Sequence, residues 1–399
     1  MLSAFLVRAR TALQRSGTGN VLGVQMVVGN EAADLDSVVS AIAFSVFVHR
    51  RNGAQEEPRV APVIAIPRNE FALRTDIKHA LNVCFGENEA ANITDSLLFL
   101  DSPLVPSTAE AFLTDHNVPA PSLTTRIETI SVVGIVDHHA DERCFLNASP
   151  RLIEPCGSAS SLVAHLFETE SIPIDSSLAQ LLLAPILLDT VNLNQDFNRV
   201  TQRDRDAVAF LTRILDQAGD KPPLNCDAYF AALQAAKFDT SSLSAMDLLR
   251  KDYKQTACKS ASSGRTIQMG ISSVGTSVQD LVAKDDAKPL VGVLRAFLLE
   301  KGLDFLLVMT SYEDAQDSGH FKREMLCLFG SKEDARIASA GIERNKDMLV
   351  FEAGPVDGVI GATSSQSSMG EVVKWYRIGN VKMSRKLVQP ILIPLVESM

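Results

Sequence analysis

No stretch of the 399-residue chain approaches the roughly 18 to 20 consecutive apolar residues that a membrane-spanning helix requires, although 46% of its residues are hydrophobic. A membrane span is therefore not expected. The six cysteines, Cys84, Cys144, Cys156, Cys226, Cys258 and Cys327, form no C-x-x-C pair and show no regular spacing, which argues against a zinc ribbon or a disulfide framework. They read as buried thiols in a reducing compartment, and cytoplasm is the expected location. Basic charge is in deficit, 38 Lys and Arg against 48 Asp and Glu for a net charge of −10, which counts against nucleic acid as the partner. A small polyanion remains admissible, because bound metals and local cations can reverse the field inside a cleft.

The chain is long enough for two domains at about 150 residues each, and its 22% charged residues are ordinary for a globular protein. Nothing looks disordered, and no internal repeat or low-complexity tract is present. The first 20 residues carry three arginines and no acid. They read as an amphipathic surface helix with Leu2, Phe5, Leu6 and Leu13 on one face, with a mitochondrial presequence as the alternative.

The first half alternates β-rich runs (21–29, 59–66, 96–101 and 130–137) with helical stretches (37–51, 159–170 and 176–189). This order predicts an α/β fold with a mainly parallel sheet. A helix over 201–217 is followed by DQAGDKPPLN (216–225), whose Gly, Pro-Pro and Asn mark a linker. The expected division is a domain over 1–220, a linker region over 221–240 and a smaller α+β domain over 241–399, with strands near 266–274, 303–312, 324–330 and 347–354.

Acids gather where strands end. Asp34 and Asp36 follow the first strand, and Asp101 and Asp137 close two others; the carboxyl ends of parallel strands line the ligand crevice. The i and i+2 aspartates could hold cations, or Asp36 or Ser37 could simply cap a helix; the sequence leaves both open. His138 and His139, on an extended segment, should face opposite ways and so have different jobs. Asp189 closes an apolar helical run, where an unpaired acid would be costly. Five acids and two histidines of this kind suggest a two-metal site. Gly157-Ser158-Ala159-Ser160 reads as a helix cap, with anion binding as the alternative. His320, Lys322 and Arg323 read as a solvated loop.

The order Asn30-x-x-x-Asp34-x-Asp36, then Asp101, then Asp137-His138-His139, then Asp189 resembles the DHH phosphoesterase superfamily. Lys251-Asp252-Tyr253-Lys254 and Ser384-Arg385-Lys386-Leu387-Val388-Gln389-Pro390 resemble the substrate-binding domain of its DHHA2 subfamily, which contains family II inorganic pyrophosphatases, eukaryotic exopolyphosphatases and prune proteins. The glycine-bearing 358–370 lacks the terminal histidine of the nuclease branch. The resemblance implies that Asp34 and Asp101 hold one divalent cation, that Asp36, His138 and Asp189 hold another, and that Asp101 bridges them. It places His139 on substrate phosphate and makes Asp137 the residue that orients a histidine. Lys254, Arg385 and Lys386 would be the catalytic and substrate-gripping cations of the second domain, with the active site in a cleft between the domains.

Family II pyrophosphatases carry a histidine where this chain has Asn30; the exopolyphosphatase and prune members resemble it in carrying asparagine. The implied activity is removal of the terminal phosphate from inorganic polyphosphate, short chains included, with Asn30 on the substrate side. Two or more divalent cations are implied, Mg²⁺ foremost and Mn²⁺ or Co²⁺ as alternatives, since a carboxamide suits harder ions than imidazole does. Pyrophosphate hydrolysis, cyclic-nucleotide hydrolysis and a catalytically weakened binding protein are the competing readings. The oligomeric state stays open, and a monomer is compatible with everything above.

Overall fold

The computed structural model describes residues 2–16, 23–53, 57–219, 224–260, 264–284, 289–314, 317, 319–331, 335, 350–353, 372–383 and 385–397. They fall into two compact units, Met1–Asp239 and Thr240–Met399.

In the first unit the valine-rich run after residue 22 forms β1 (Gln25–Val28), and α2 (Leu35–Arg51) returns over the sheet to β2 (Val60–Ile64). There follow α3 (Thr75–Phe85), α4 (Glu87–Ser96), the two-residue β3 (Leu98–Phe99), β4 (Thr108–Thr114), α5 (Pro121–Arg126), β5 (Thr129–Asp137) and β6 (Arg151–Ile153). The six strands are all parallel, in the order β3-β2-β1-β4-β5-β6. The winding reverses between β1 and β4, and at such a switch point the loops leaving adjacent strands part and open a crevice. Hydrophobic patterning does not reveal β4, where TAEAFLT mixes threonine, glutamate and alanine, or the three-residue β6.

Three further helices complete the unit: α6 (Ala159–Thr169) and α7 (Ser176–Asp189) pack along α2, and α8 (Gln202–Ala218) packs on both of them. α7 is buried from Leu178 to Leu188, as expected of a helix apolar all round. Phe47 of α2 meets Phe167 of α6 edge to face, centroids 5.3 Å apart, a geometry worth about 1 kcal/mol beyond the area it buries. The N-terminal helix α1 (Leu2–Ser16) folds onto this unit and buries Leu2, Phe5, Leu6 and Leu13. The expected linker region is largely helical: α9 (Cys226–Phe238) buries Tyr229 and Leu233 in the same core. The units divide at Asp239, because apolar residues on α9 gain more from that core than from solvent.

The second unit has α10 (Ala245–Lys251), β7 (Tyr253–Lys259), β8 (Thr266–Val274), α11 (Val278–Ala283), α12 (Leu290–Glu300), β9 (Phe305–Thr310), β10 (Tyr312–Asp314), β11 (His320–Phe329), β12 (Phe351–Ala353), β13 (Val372–Ile378) and α13 (Arg385–Glu397). Its sheet runs β12-β13-β11-β9-β8-β7, with β10 paired to β11. It is mixed, β8 and β9 being parallel and the other pairs antiparallel. Each unit is thus an α/β layer structure, parallel in the first and mixed in the second. Of the six cysteines, Cys84, Cys258 and Cys327 are buried, whereas Cys144, Cys156 and Cys226 are only half-buried. No described helix is long and apolar enough to cross a membrane. Residues 358–370 lie outside the described residues.

Candidate metal centre

A cavity of about 520 Å³ opens at the switch point, lined by Asn30, Asp34, Asp36, Asp115, His138, His139 and Asp189 among others. The loop after β1 is shaped first. Gly29 passes so close to α2 that a Cβ there would meet the Ser37 carbonyl oxygen at 2.6 Å, and Arg74 donates to the carbonyls of Ala32 and Ala33, 2.6 and 3.0 Å away. Asp34, rather than Asp36 or Ser37, caps α2 by accepting from the Ser37 N–H at 3.1 Å. Capping takes one oxygen and leaves the other for a cation.

Asp36 is buried and accepts four hydrogen bonds from the start of α6: from the Ser158 hydroxyl (2.7 Å), the Ala159 N–H (2.7 Å), the Ser160 N–H (2.9 Å) and the Ser160 hydroxyl (2.7 Å). Ser158 caps α6, as the sequence suggested, and the anion that its N–H groups bind is this internal carboxylate. A second buried acid, Asp204, holds the other side of the turn through Gly157 N–H, the Ser161 hydroxyl and both donors of Thr201.

Asp101 does not join the cluster. It follows β3, at the edge of the sheet two strands from β1, and there it is exposed and accepts the Arg68 N–H at 3.1 Å. The carboxylate delivered to the switch point is Asp115, the residue after β4, because β4 is the neighbour of β1. The signal for it was present: TAEAFLT ends on Asp115-His116-Asn117, as the next strand ends on Asp137-His138-His139. Asn117 was missed as well. It donates to Asp137 at 2.6 Å and to the Ala140 carbonyl at 2.9 Å.

The two histidines do not face opposite ways. The strand stops at Asp137, so strand alternation no longer applies, and the rings lie edge to face with centroids 4.5 Å apart. Their partners differ nonetheless. His138 Nδ1 meets the Cys156 carbonyl at 2.8 Å, which turns Nε2 toward Asp115 at 3.1 Å. His139 Nδ1 is held by the buried Asp137 at 2.8 Å, and its ring is half exposed. The ligand atoms of Asp115, His138 and His139 lie within 4.8 Å of one another.

Electrostatics set the character of the cavity. Burial first, then the charges of Asp36 and Asp34, push Asp115 up to about 7 against the pull of His138. Burial and then Asp36 raise Asp34; burial, Asp36 and Asp34 raise Asp189, with Lys237 of α9 opposing. His138 is raised as well, burial being outweighed by its bonds to Asp115 and Cys156. Carboxylates that repel one another into holding protons are completed by positive charge, and hard divalent cations suit this oxygen-rich donor set with one imidazole.

Asn30 is committed within the protein: its Nδ2 donates to Asp115 at 2.6 Å, and its carbonyl oxygen accepts the Ala32 N–H at 2.9 Å. In the second unit Arg385, at the start of α13, gives Nη1 to the Asp252 carboxylate at 2.7 Å and to its carbonyl at 3.0 Å. Lys254 is exposed on β7; Lys386 lies in α13, and Ser384 is outside the described residues. Lys322 pairs with Asp314 and Asp317, and Arg323 Nε donates to the Val381 carbonyl.

Residues 25–186 match the DHH family, N-terminal domain, and residues 231–394 match the DHHA2 domain. The chain is 29% identical to exopolyphosphatase PRUNE1 of Bos taurus over 395 residues, covering 97% of this chain and 78% of that protein. It is 27% identical to exopolyphosphatase PRUNE1 of Rattus norvegicus over 97% of this chain and 78% of that protein. A Deinococcus radiodurans protein named "Probable manganese-dependent inorganic pyrophosphatase" is 34% identical over 151 residues, 38% of this chain and 45% of that protein. The two matches follow one another along the chain and together span most of it, and the chain belongs to the DHH family, with a DHHA2 domain as its second half.

Proposed function

We propose that the protein is a metal-dependent exopolyphosphatase, a phosphoesterase-type hydrolase that removes orthophosphate from the end of inorganic polyphosphate, short chains such as tripolyphosphate included. The observation that carries the reading is the convergence of Asp34, Asp36, Asp115, Asp189 and His138 on one cavity at the switch point. The polyphosphate assignment draws support from exopolyphosphatase relatives that span nearly the whole chain and from Asn30 in the position where family II pyrophosphatases resemble one another in having histidine.

Asp34, Asp36, Asp115, Asp189 and His138 would hold two divalent cations, which when bound acidify water toward neutral pH and neutralise phosphate charge. Asp36 does so while clamping α6, so the cluster is tied to the α6 N-terminus. Asn30 steadies Asp115 through its amide rather than meeting substrate. With Nδ1 fixed on Asp137, a protonated His139 would donate from Nε2 to the departing phosphate oxygen. Lys254, Arg385 and Lys386 remain the candidate substrate cations of the second unit, Arg385 on condition that phosphate replaces Asp252 as its partner.

Phosphate release from tripolyphosphate, long polyphosphate, pyrophosphate and cyclic AMP, measured side by side with Mg²⁺ and with Mn²⁺, tests the reading. Tripolyphosphate is expected to be cleaved best. Preference for pyrophosphate would overturn the substrate assignment and leave the metal centre standing.

A further inference from the structure

Among the described residues lining the metal cavity, Arg199 is the only arginine or lysine. Arg203, four residues on, is spent on Glu154 at 2.8 Å and on His165 at 2.8 Å. Arg199 is exposed, and no described carboxylate pairs with its guanidinium.

The backbone that presents it is fixed at both ends. From α7 the chain passes through Val191, Asn192 and Leu193 at φ 51°, 55° and 58°, and turns again at Asn198 at φ 52°. It then enters α8 through the capping box of Thr201 and Asp204. Arg199 lies between that turn and that cap. Its carbonyl oxygen packs on Gly157, where an added Cβ would come within 2.9 Å. Gly157 in turn gives its N–H to Asp204, and the next three residues are bound to Asp36. Arg199 is therefore registered to the same turn that positions the carboxylate cluster.

A cavity lined by four aspartates repels anions until cations fill it, and even then the phosphate oxygens that do not face the cations need a hydrogen-bond donor. A planar guanidinium with no partner among the described residues supplies that as a two-pronged donor to phosphoryl oxygens. We propose that Arg199 is an anion-binding residue of the first unit, gripping the phosphoryl oxygens of orthophosphate or a short polyphosphate beside the metal centre. The proposal rests on the reading that the aspartate cluster holds divalent cations.

The test is calorimetric titration of the full-length, Mn²⁺-loaded protein with orthophosphate, comparing wild type, Arg199→Gln and Arg199→Lys, with Mn²⁺ binding measured on all three. Loss of a charge-assisted pair should weaken phosphate binding roughly 10- to 100-fold in Arg199→Gln, with Arg199→Lys between the two and Mn²⁺ binding unchanged. Equal phosphate affinity in wild type and Arg199→Gln overturns the proposal, as does a wild type that binds Mn²⁺ but no phosphate. If wild type fails to bind Mn²⁺, it is the metal reading that falls. The metal-free titration then decides for Arg199: weaker binding in Arg199→Gln supports it, and equal or absent binding overturns it.

Discussion

Asp36 is expected to hold the fold together before any metal arrives, and Asp36→Asn separates that task from ligation. Three of its four hydrogen bonds fall on Oδ1 and the fourth, from Ala159, on Oδ2. A carboxamide with its oxygen toward the larger group sets its NH₂ against the Ala159 N–H; flipped, it faces three donors. The better orientation still leaves one buried N–H unpaired, at about 1–3 kcal/mol, and weakens three charge-assisted bonds. Removing the charge also relieves repulsion with Asp34, Asp115 and Asp189, each of which Asp36 raises, but Asp115, pushed up to about 7, is largely protonated at pH 6, which limits that relief. The net loss should be about 3 kcal/mol, or roughly 6–12 °C for a unit of this size. The assay is thermal unfolding in EDTA at pH 6, followed on the transition of the first unit. A variant that melts at or above the wild-type temperature would refute the clamp. Asp189→Asn is the contrast. An acid whose folded pKa is raised loses stability as pH climbs above its ordinary pKa, so this variant should melt above wild type by a margin that is larger at pH 8 than at pH 5.

Asp115→Asn should lower turnover of tripolyphosphate by about 10²- to 10³-fold, whereas Asp101→Asn, remote from the cavity, should stay within about 3-fold of wild type, near the small effects of surface changes; steady-state phosphate release checks both, and the reverse order would restore Asp101 as the ligand. Because Asp115, pushed up to about 7, must lose its proton to bind a cation, apparent Mn²⁺ affinity should fall as pH drops below that value, by up to about tenfold per pH unit for each proton displaced; titrations at pH 6 and 8 would show it, and a flat profile would count against it. Asn30→His should shift activation from Mg²⁺ toward Mn²⁺ or Co²⁺, measured as the ratio of rates with each metal. Asp137→Asn, which frees His139 Nδ1, should cost about 10- to 100-fold in kcat with Mn²⁺ binding retained, read from paired kinetics and calorimetry.

Much of the first unit was legible along the chain because its signals are local. Apolar runs ending on acids marked β1 and β5, apolar periodicity marked α2, α6 and α7, and the Asp34, Asp36, His138 and Asp189 positions come to the cavity where these elements end. β8 and β9 were equally plain. α9 reads as linker because the Gly and Pro-Pro before it dominate the local pattern, while its burial against α3 and α7 is a contact distant in sequence.

The sequence by itself determined which chemistry is available: acids and histidines at strand ends, and a net negative chain that needs cations to receive an anion. Only the tertiary structure decided which of those residues meet. Strand order, not strand spelling, puts Asp115 beside Asp34 and strands Asp101 at the sheet edge, since neighbours in a parallel sheet are chosen by crossover topology and by the burial of whole faces. The same holds for Asp204 and Arg199, whose roles arise from a turn closing on α6 from another part of the chain, a proximity that no local pattern encodes.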